Sequence, residues 1–169
     1  MVQTKSSNAA SVKVADEVWI ATALLHREHS DETDFTTTEI EERARREAAP
    51  EPLRPGVRVH AIQHCVANRA PNPGRYRMLI ETAPHRRRLF RPGDRYNAAR
   101  EGAKRLPERA EIPERYHYLL DWYELEYVSR RPPDVDADPI MALHGLGKEI
   151  WADEDADAYV ARLRQGWND

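Results

Sequence analysis

His60, Gln63, His64 and Asn68 share one side of a predicted helix, with Arg58 and Arg69 near its two ends. Amide and guanidinium groups so placed can pair with the exposed edges of nucleobases, and imidazoles can meet bases or phosphates. Three consecutive arginines, Arg86, Arg87 and Arg88, come next, flanked by Arg75, Arg77 and Arg91. Guanidinium groups at that density suit phosphate. Between Arg54 and Arg105 stand thirteen Arg or Lys against three acids (Glu81, Asp94 and Glu101), a local excess of ten in a chain of net charge −3. A basic block inside an otherwise acidic chain predicts a localised polyanion site.

Other chemistries find little footing. His60 and His64 are four residues apart, as helical zinc ligands are, but Ala61, Ile62 and Gln63 between them supply no glutamate and no third ligand follows. No metal and no cofactor are expected. Gly145-Leu146-Gly147-Lys148 is too short for a phosphate loop and lacks the following Ser or Thr. No Ser-His-Asp arrangement stands out, and the acids fall mainly in the second helix and the tail. The expectation is a binding protein, not an enzyme. The single cysteine, Cys65, excludes an intrachain disulfide and fits a reducing cytoplasm. No apolar run approaches the ~20 residues of a membrane span.

The elements that must position these residues follow from periodicity. Met1 to Lys13 is polar and predicts a disordered leader, covering residues 1–14. Ala15 to Glu28 predicts an amphipathic helix through Val18, Trp19, Ile20, Ala21, Thr22 and Leu25. Phe35 begins a short extended piece. Thr38 to Glu41 fits a capping box opening a helix through Ile40, Ala44 and Ala48. Pro55-Gly56-Val57 starts a third helix to about Asn68, with Val59, Ile62, Cys65 and Val66 as its core face. Tyr76 to Thr82 alternates as a strand, Ala83 to Arg86 turns, and Arg87 to Arg91 returns.

A polar connection follows from Pro92, with a short helix expected around Asn97 to Lys104. Pro113 then predicts the first position of a helix carrying Tyr116, Leu119, Leu120, Tyr123 and Tyr127. That stripe either packs on the first helix or, through Tyr116, Leu119, Leu120 and Tyr123, pairs with a second copy to form a homodimer. Residues 132–138 read as a linker. Residues 139–169 carry Trp151, Tyr159, Leu163 and Trp167, too few to build a core, so they predict a partner-binding tail.

Three helices, a strand within them and a basic hairpin make residues 15–91 resemble a winged helix. The expected class is therefore α+β, mainly α: a winged helix-turn-helix with a β-hairpin wing, an additional C-terminal helix and an extended tail. Residues 92–131 would be the connecting segment and aromatic helix. The tail, with His144-Gly145-Leu146-Gly147-Lys148-Glu149-Ile150-Trp151, Asp155 to Val160 and Leu163 to Trp167, is similar to the C-terminal arms of type II antitoxins paired with PIN-domain ribonuclease toxins. That resemblance implies an arm wrapping the toxin and an arginine entering its acidic, metal-binding pocket. It makes Lys148, Trp151, Tyr159, Arg162, Leu163, Arg164 and Trp167 toxin-facing. The expectation is a cytoplasmic DNA-binding antitoxin and autorepressor with no membrane partner. A stand-alone transcription regulator and a DNA-targeting subunit of an enzyme are the alternatives.

Overall fold

The computed structural model describes residues 12–130. Residues 1–11 and 131–169, including every expected toxin-facing residue, lie outside the described part. The described chain is α+β and mainly helical, with one small antiparallel sheet.

α1 (Val14–Glu28) is the axis of the core. Asp16 and Glu17 in its first turn and His26 and Arg27 in its last complement the helix dipole. From Ala15 to Leu25 only Glu17 is not buried, because neighbours cover the helix on nearly every side. β1 (Phe35–Thr36) leads directly into α2 (Thr37–Ala48). The capping box sits two residues earlier than the sequence suggests: Thr36 accepts from the Glu39 N–H, while the Glu39 carboxylate accepts from the Thr36 N–H at 2.7 Å. Strand pairing explains the choice, since Thr36 opposes Arg86 and is thereby the last extended residue. Arg43 crosses from α2 to α1, forking onto Glu28 at 2.8–3.1 Å and bonding Glu47 at 2.6 Å.

α3 is short. Val57–Val59 is α-helical and passes into a π-helical turn, His60–His64, beyond which the chain turns at Cys65. Gly56, at φ 102°, begins it in a left-handed conformation that favours glycine. The expected helix to Asn68 is corrected, and its expected core face in part: Cys65 and Val66 are buried as expected, Val59 and Ile62 are not. Val57, Ala61 and Cys65 point inward, while Val59 is 43% exposed and Ile62 is partly exposed. Spacing of four selects Val57, Ala61 and Cys65 as well as it selects the expected stripe. Val57, Ala61 and Cys65 lie on the face turned to the core around α1.

β2 (Leu79–Ala83) and β3 (Arg86–Leu89) form a hairpin joined by Pro84 and His85, and β3 lies between β1 and β2. The hairpin falls where the sequence places it, but the first strand starts at Leu79 rather than Tyr76. Leu79 and Ile80 are both buried because β2 is covered on both faces: Leu79 joins the main core, Ile80 a smaller cluster with Ala67 and Phe90. The expected helix near 97–104 is one 3₁₀ turn, Ala98–Arg100.

α4 (His117–Trp122) follows a 3₁₀ turn and continues as a π-helical turn, Tyr123–Tyr127. Pro113 precedes the 3₁₀ turn as its cap rather than standing at the first helical position. Tyr123 meets Trp19 edge to face at 5.7 Å, and its hydroxyl donates to the Phe90 carbonyl. Tyr127 donates to the Leu89 carbonyl at 3.0 Å. Tyr116, Leu119, Leu120 and Tyr123 are thus buried against their own chain, which removes that stripe as a contact between copies. Among the described residues no helix is long and apolar enough to cross a membrane.

Candidate nucleic-acid interface

The basic block has two populations. Arg87 alternates with Arg88 along β3, so it projects inward beside Leu89 and is only 1% exposed. Its guanidinium donates to the carbonyls of Ala61 and Ile62, each at 3.3 Å, and to Glu81 at 3.0 Å. Arg100 is fully buried and has no carboxylate partner among the described residues. It donates to five carbonyls, those of Gln63, His64, Arg69, Ala70 and Tyr76, at 2.5–3.4 Å.

These two side chains solve one problem. A helix leaves its last four carbonyls without intrahelical donors. At the end of α3 those carbonyls belong to Ala61, Ile62, Gln63 and His64. Arg87 takes the first pair and Arg100 the second, placing positive charge at the negative end of the helix dipole. The direction of α3, and hence of its outward face, is fixed from below by two cations.

Several expected contact residues are therefore withdrawn from the surface. Arg87 is internal. Arg91 is buried, donates to the Tyr127 carbonyl at 3.2 Å and lies 4.0 Å above the Tyr127 ring. Arg77 is mostly buried, stacked 4.2 Å over Tyr96 and 5.4 Å over Phe90. Arg88 forks onto Asp94 at 2.7 Å. Arg69 forks onto Glu81 at 2.6 and 2.7 Å, completing an Arg69–Glu81–Arg87 network. Arg86 holds Asp34 and is partly exposed. The three-arginine run does not form a projecting basic wing, because each member is turned to a partner within the fold.

The expected polar readers are also engaged. Gln63 donates to the Ala70 carbonyl at 2.7 Å. Asn68 exchanges two hydrogen bonds with the Glu81 backbone, at 2.9 and 3.0 Å, tying the chain after α3 to β2. His60 contacts the Gly56 carbonyl at 2.9 Å through Nδ1 and packs on His64, ring centroids 4.8 Å apart, and on Tyr76. Burial first, then His60 and Arg100, hold His64 below the usual imidazole range. Gly74 closes over this group: an added Cβ would lie 2.7 Å from the His64 Cβ, so only glycine fits.

What α3 exposes most is Arg58 and Val59, while Ile62, like His60, Gln63 and His64, is partly exposed. Arg58 is 68% exposed and meets Glu41 at 3.1 Å; Arg45 on α2, 54% exposed, meets the same carboxylate at 3.4 Å. One acid thus gathers two exposed guanidinium groups, one from each helix, with a surplus of positive charge. Arg45 lies outside the basic block that drew attention in the sequence, and its i, i+4 spacing from Glu41 looks like an ordinary helical ion pair. Arg75 is exposed as well. Among the described residues no group of three His, Cys, Asp or Glu side chains is arranged to hold a metal ion. Comparison with protein families, with characterised proteins and with solved structures finds nothing that matches this chain.

Proposed function

We propose that residues 15–91 form a winged-helix module that binds duplex DNA, within an antitoxin and autorepressor whose C-terminal arm neutralises a PIN-domain ribonuclease. The observation that carries the DNA reading is the outward face of α3 with Arg58 on it and Arg45 beside it. The element order supports it: helix, strand, helix, helix, hairpin, with the hairpin's second strand in the middle of the sheet. α3 enters the major groove, and the two guanidinium groups grip phosphates on its flank. The antitoxin part rests on the sequence of the arm, whose Lys148, Trp151, Tyr159, Arg162, Leu163, Arg164 and Trp167 would engage the toxin. An arginine from this set, Arg164 or Arg162, occupies carboxylates that otherwise hold the toxin's metal.

The test has two arms. In anisotropy titrations with duplex DNA, Arg45→Ala and Arg58→Ala are expected each to weaken binding and to lower the salt slope by about one. Glu41→Gln, which unmasks both guanidinium groups, is expected to tighten it. Unchanged affinity in all three variants overturns the assigned interface. For the arm, co-purification with the product of the adjacent gene followed by a ribonuclease assay is decisive. A chain truncated after Arg130 is expected to bind DNA and to leave that ribonuclease active. A neighbour without ribonuclease activity removes the antitoxin reading and leaves a stand-alone regulator.

A further inference from the structure

The engagement of the polar readers changes what α3 can recognise. Both ends of the Asn68 amide are spent on the Glu81 backbone, so Asn68 does not offer the paired donor and acceptor that reads adenine, and the Gln63 amide is tethered by one N–H to the Ala70 carbonyl. Val59 is exposed and Ile62 partly so; the two are three residues apart and so neighbours on one face, with Arg58 four residues before Ile62. An exposed valine on a short, firmly braced helix serves no packing need. The patch is only two branched side chains wide, far short of a protein–protein contact, and exposed guanidinium groups border it. A small apolar patch beside cations complements a surface on which methyl groups lie close to phosphates. In duplex DNA that surface is the major groove at thymine, whose C5-methyl is the one apolar group displayed there.

We propose that Val59 and Ile62 read thymine methyl groups, making the preferred site of this module a thymine-bearing one selected chiefly by apolar contact. This rests on the DNA-binding reading above. Arg58 and Arg45 supply affinity on the adjoining phosphates, and Val59 and Ile62 supply the choice of base. Because the bracing by Arg87 and Arg100 is internal, the patch is preorganised before DNA arrives.

The test uses the full chain and duplexes enriched from a random pool, each compared with its counterpart carrying deoxyuridine in place of thymidine. Removing a contacted methyl is expected to weaken binding about three- to fivefold, the value of burying one such group. Val59→Ala and Ile62→Ala are expected to bind the thymidine duplex more weakly and to lose the distinction between the two duplexes. Both sites are partly or well exposed, so folding is not at stake; thermal melts of each variant verify it. Equal binding of thymidine and deoxyuridine duplexes by the parent protein overturns the proposal while leaving DNA binding intact. Absence of binding to any duplex overturns the DNA reading and this proposal with it. If Val59→Ala instead lowers the mass of the free protein in sedimentation, the patch joins two copies and the proposal falls.

Discussion

Arg100→Met is expected to destabilise the fold by about 3–5 kcal/mol, a large part of the stability of a domain this size. The side chain is fully buried and holds five carbonyls from three separate stretches: the end of α3, Arg69 and Ala70 beyond it, and Tyr76 before β2. Methionine fills comparable volume but donates nothing, so the carbonyls of His64, Arg69 and Tyr76 must find water or stay unpaired at about 1–3 kcal/mol each, while Ala70 keeps the Gln63 amide and Gln63 the Val66 N–H. Arg100→Lys is expected to recover little. An ammonium presents three donors at one point, whereas the planar guanidinium reaches carbonyls on two sides at once. Urea unfolding followed by tryptophan fluorescence measures both variants. A loss below about 1 kcal/mol for Arg100→Met would show that the carbonyls are satisfied some other way.

The second large effect is a loss of stability in mild acid, centred on His26. The ring is 6% exposed, packed edge-on against Phe35 at 4.9 Å and tilted on Tyr127 at 4.8 Å. Its Nε2 accepts weakly from the Leu89 N–H, at 3.4 Å. Burial first, then the charges of Arg91 and Arg88, push its pKa down from 6.5 to about 3; Asp34 and the Glu32 backbone oppose this without prevailing. Between those two values the unfolded chain binds a proton that the folded chain refuses. The stability is therefore complete above about pH 6.5 and falls as the pH drops toward 3. At pH 5 the expected loss from this one group, relative to pH 7.5, is about 2 kcal/mol. His26→Gln retains an acceptor and cannot be protonated. The stability difference between parent and His26→Gln is expected to change by that amount from pH 7.5 to 5. A difference independent of pH would show that His26 takes up its proton as readily in the folded chain as in the unfolded one.

Much of the scaffold is legible in the sequence because it is local. The first helix announces itself by a run of apolar residues bounded by charges that suit its ends. The second follows from threonine and glutamate three apart, although three consecutive threonines leave the register open until Phe35 and Thr36 pair with β3. The hairpin is marked by Ala83-Pro84-His85. The site was less legible. Arg86, Arg87 and Arg88 look equivalent as letters, yet strand alternation buries the middle one, and only the tertiary placement of α3 supplies its carbonyl partners. Arg100 gives no local sign of burial at all, since its acceptors lie 24–37 residues away. The outward residues of α3 were missed because a valine and an isoleucine at helical spacing ordinarily signal a core. Here the inner face is filled by Val57, Ala61 and Cys65 instead, leaving Val59 exposed and Ile62 partly so.

Cys65 sits where α3 gives way to the chain entering the sheet, fully buried, its carbonyl accepting from the N–H groups of Met78 and Leu79 at 3.0 and 2.9 Å. Burial also drives the thiol pKa well above its usual range, so the thiolate that alkylating reagents require is scarce even when the chain breathes slightly. Being the sole thiol in the chain, it is a native clock for one event. Its rate of alkylation under native conditions is expected to follow the opening of the α3–β2 junction and to match amide exchange at Met78 and Leu79. A thiol modified far faster than those amides exchange would mean that the junction opens to reagents without breaking its hydrogen bonds.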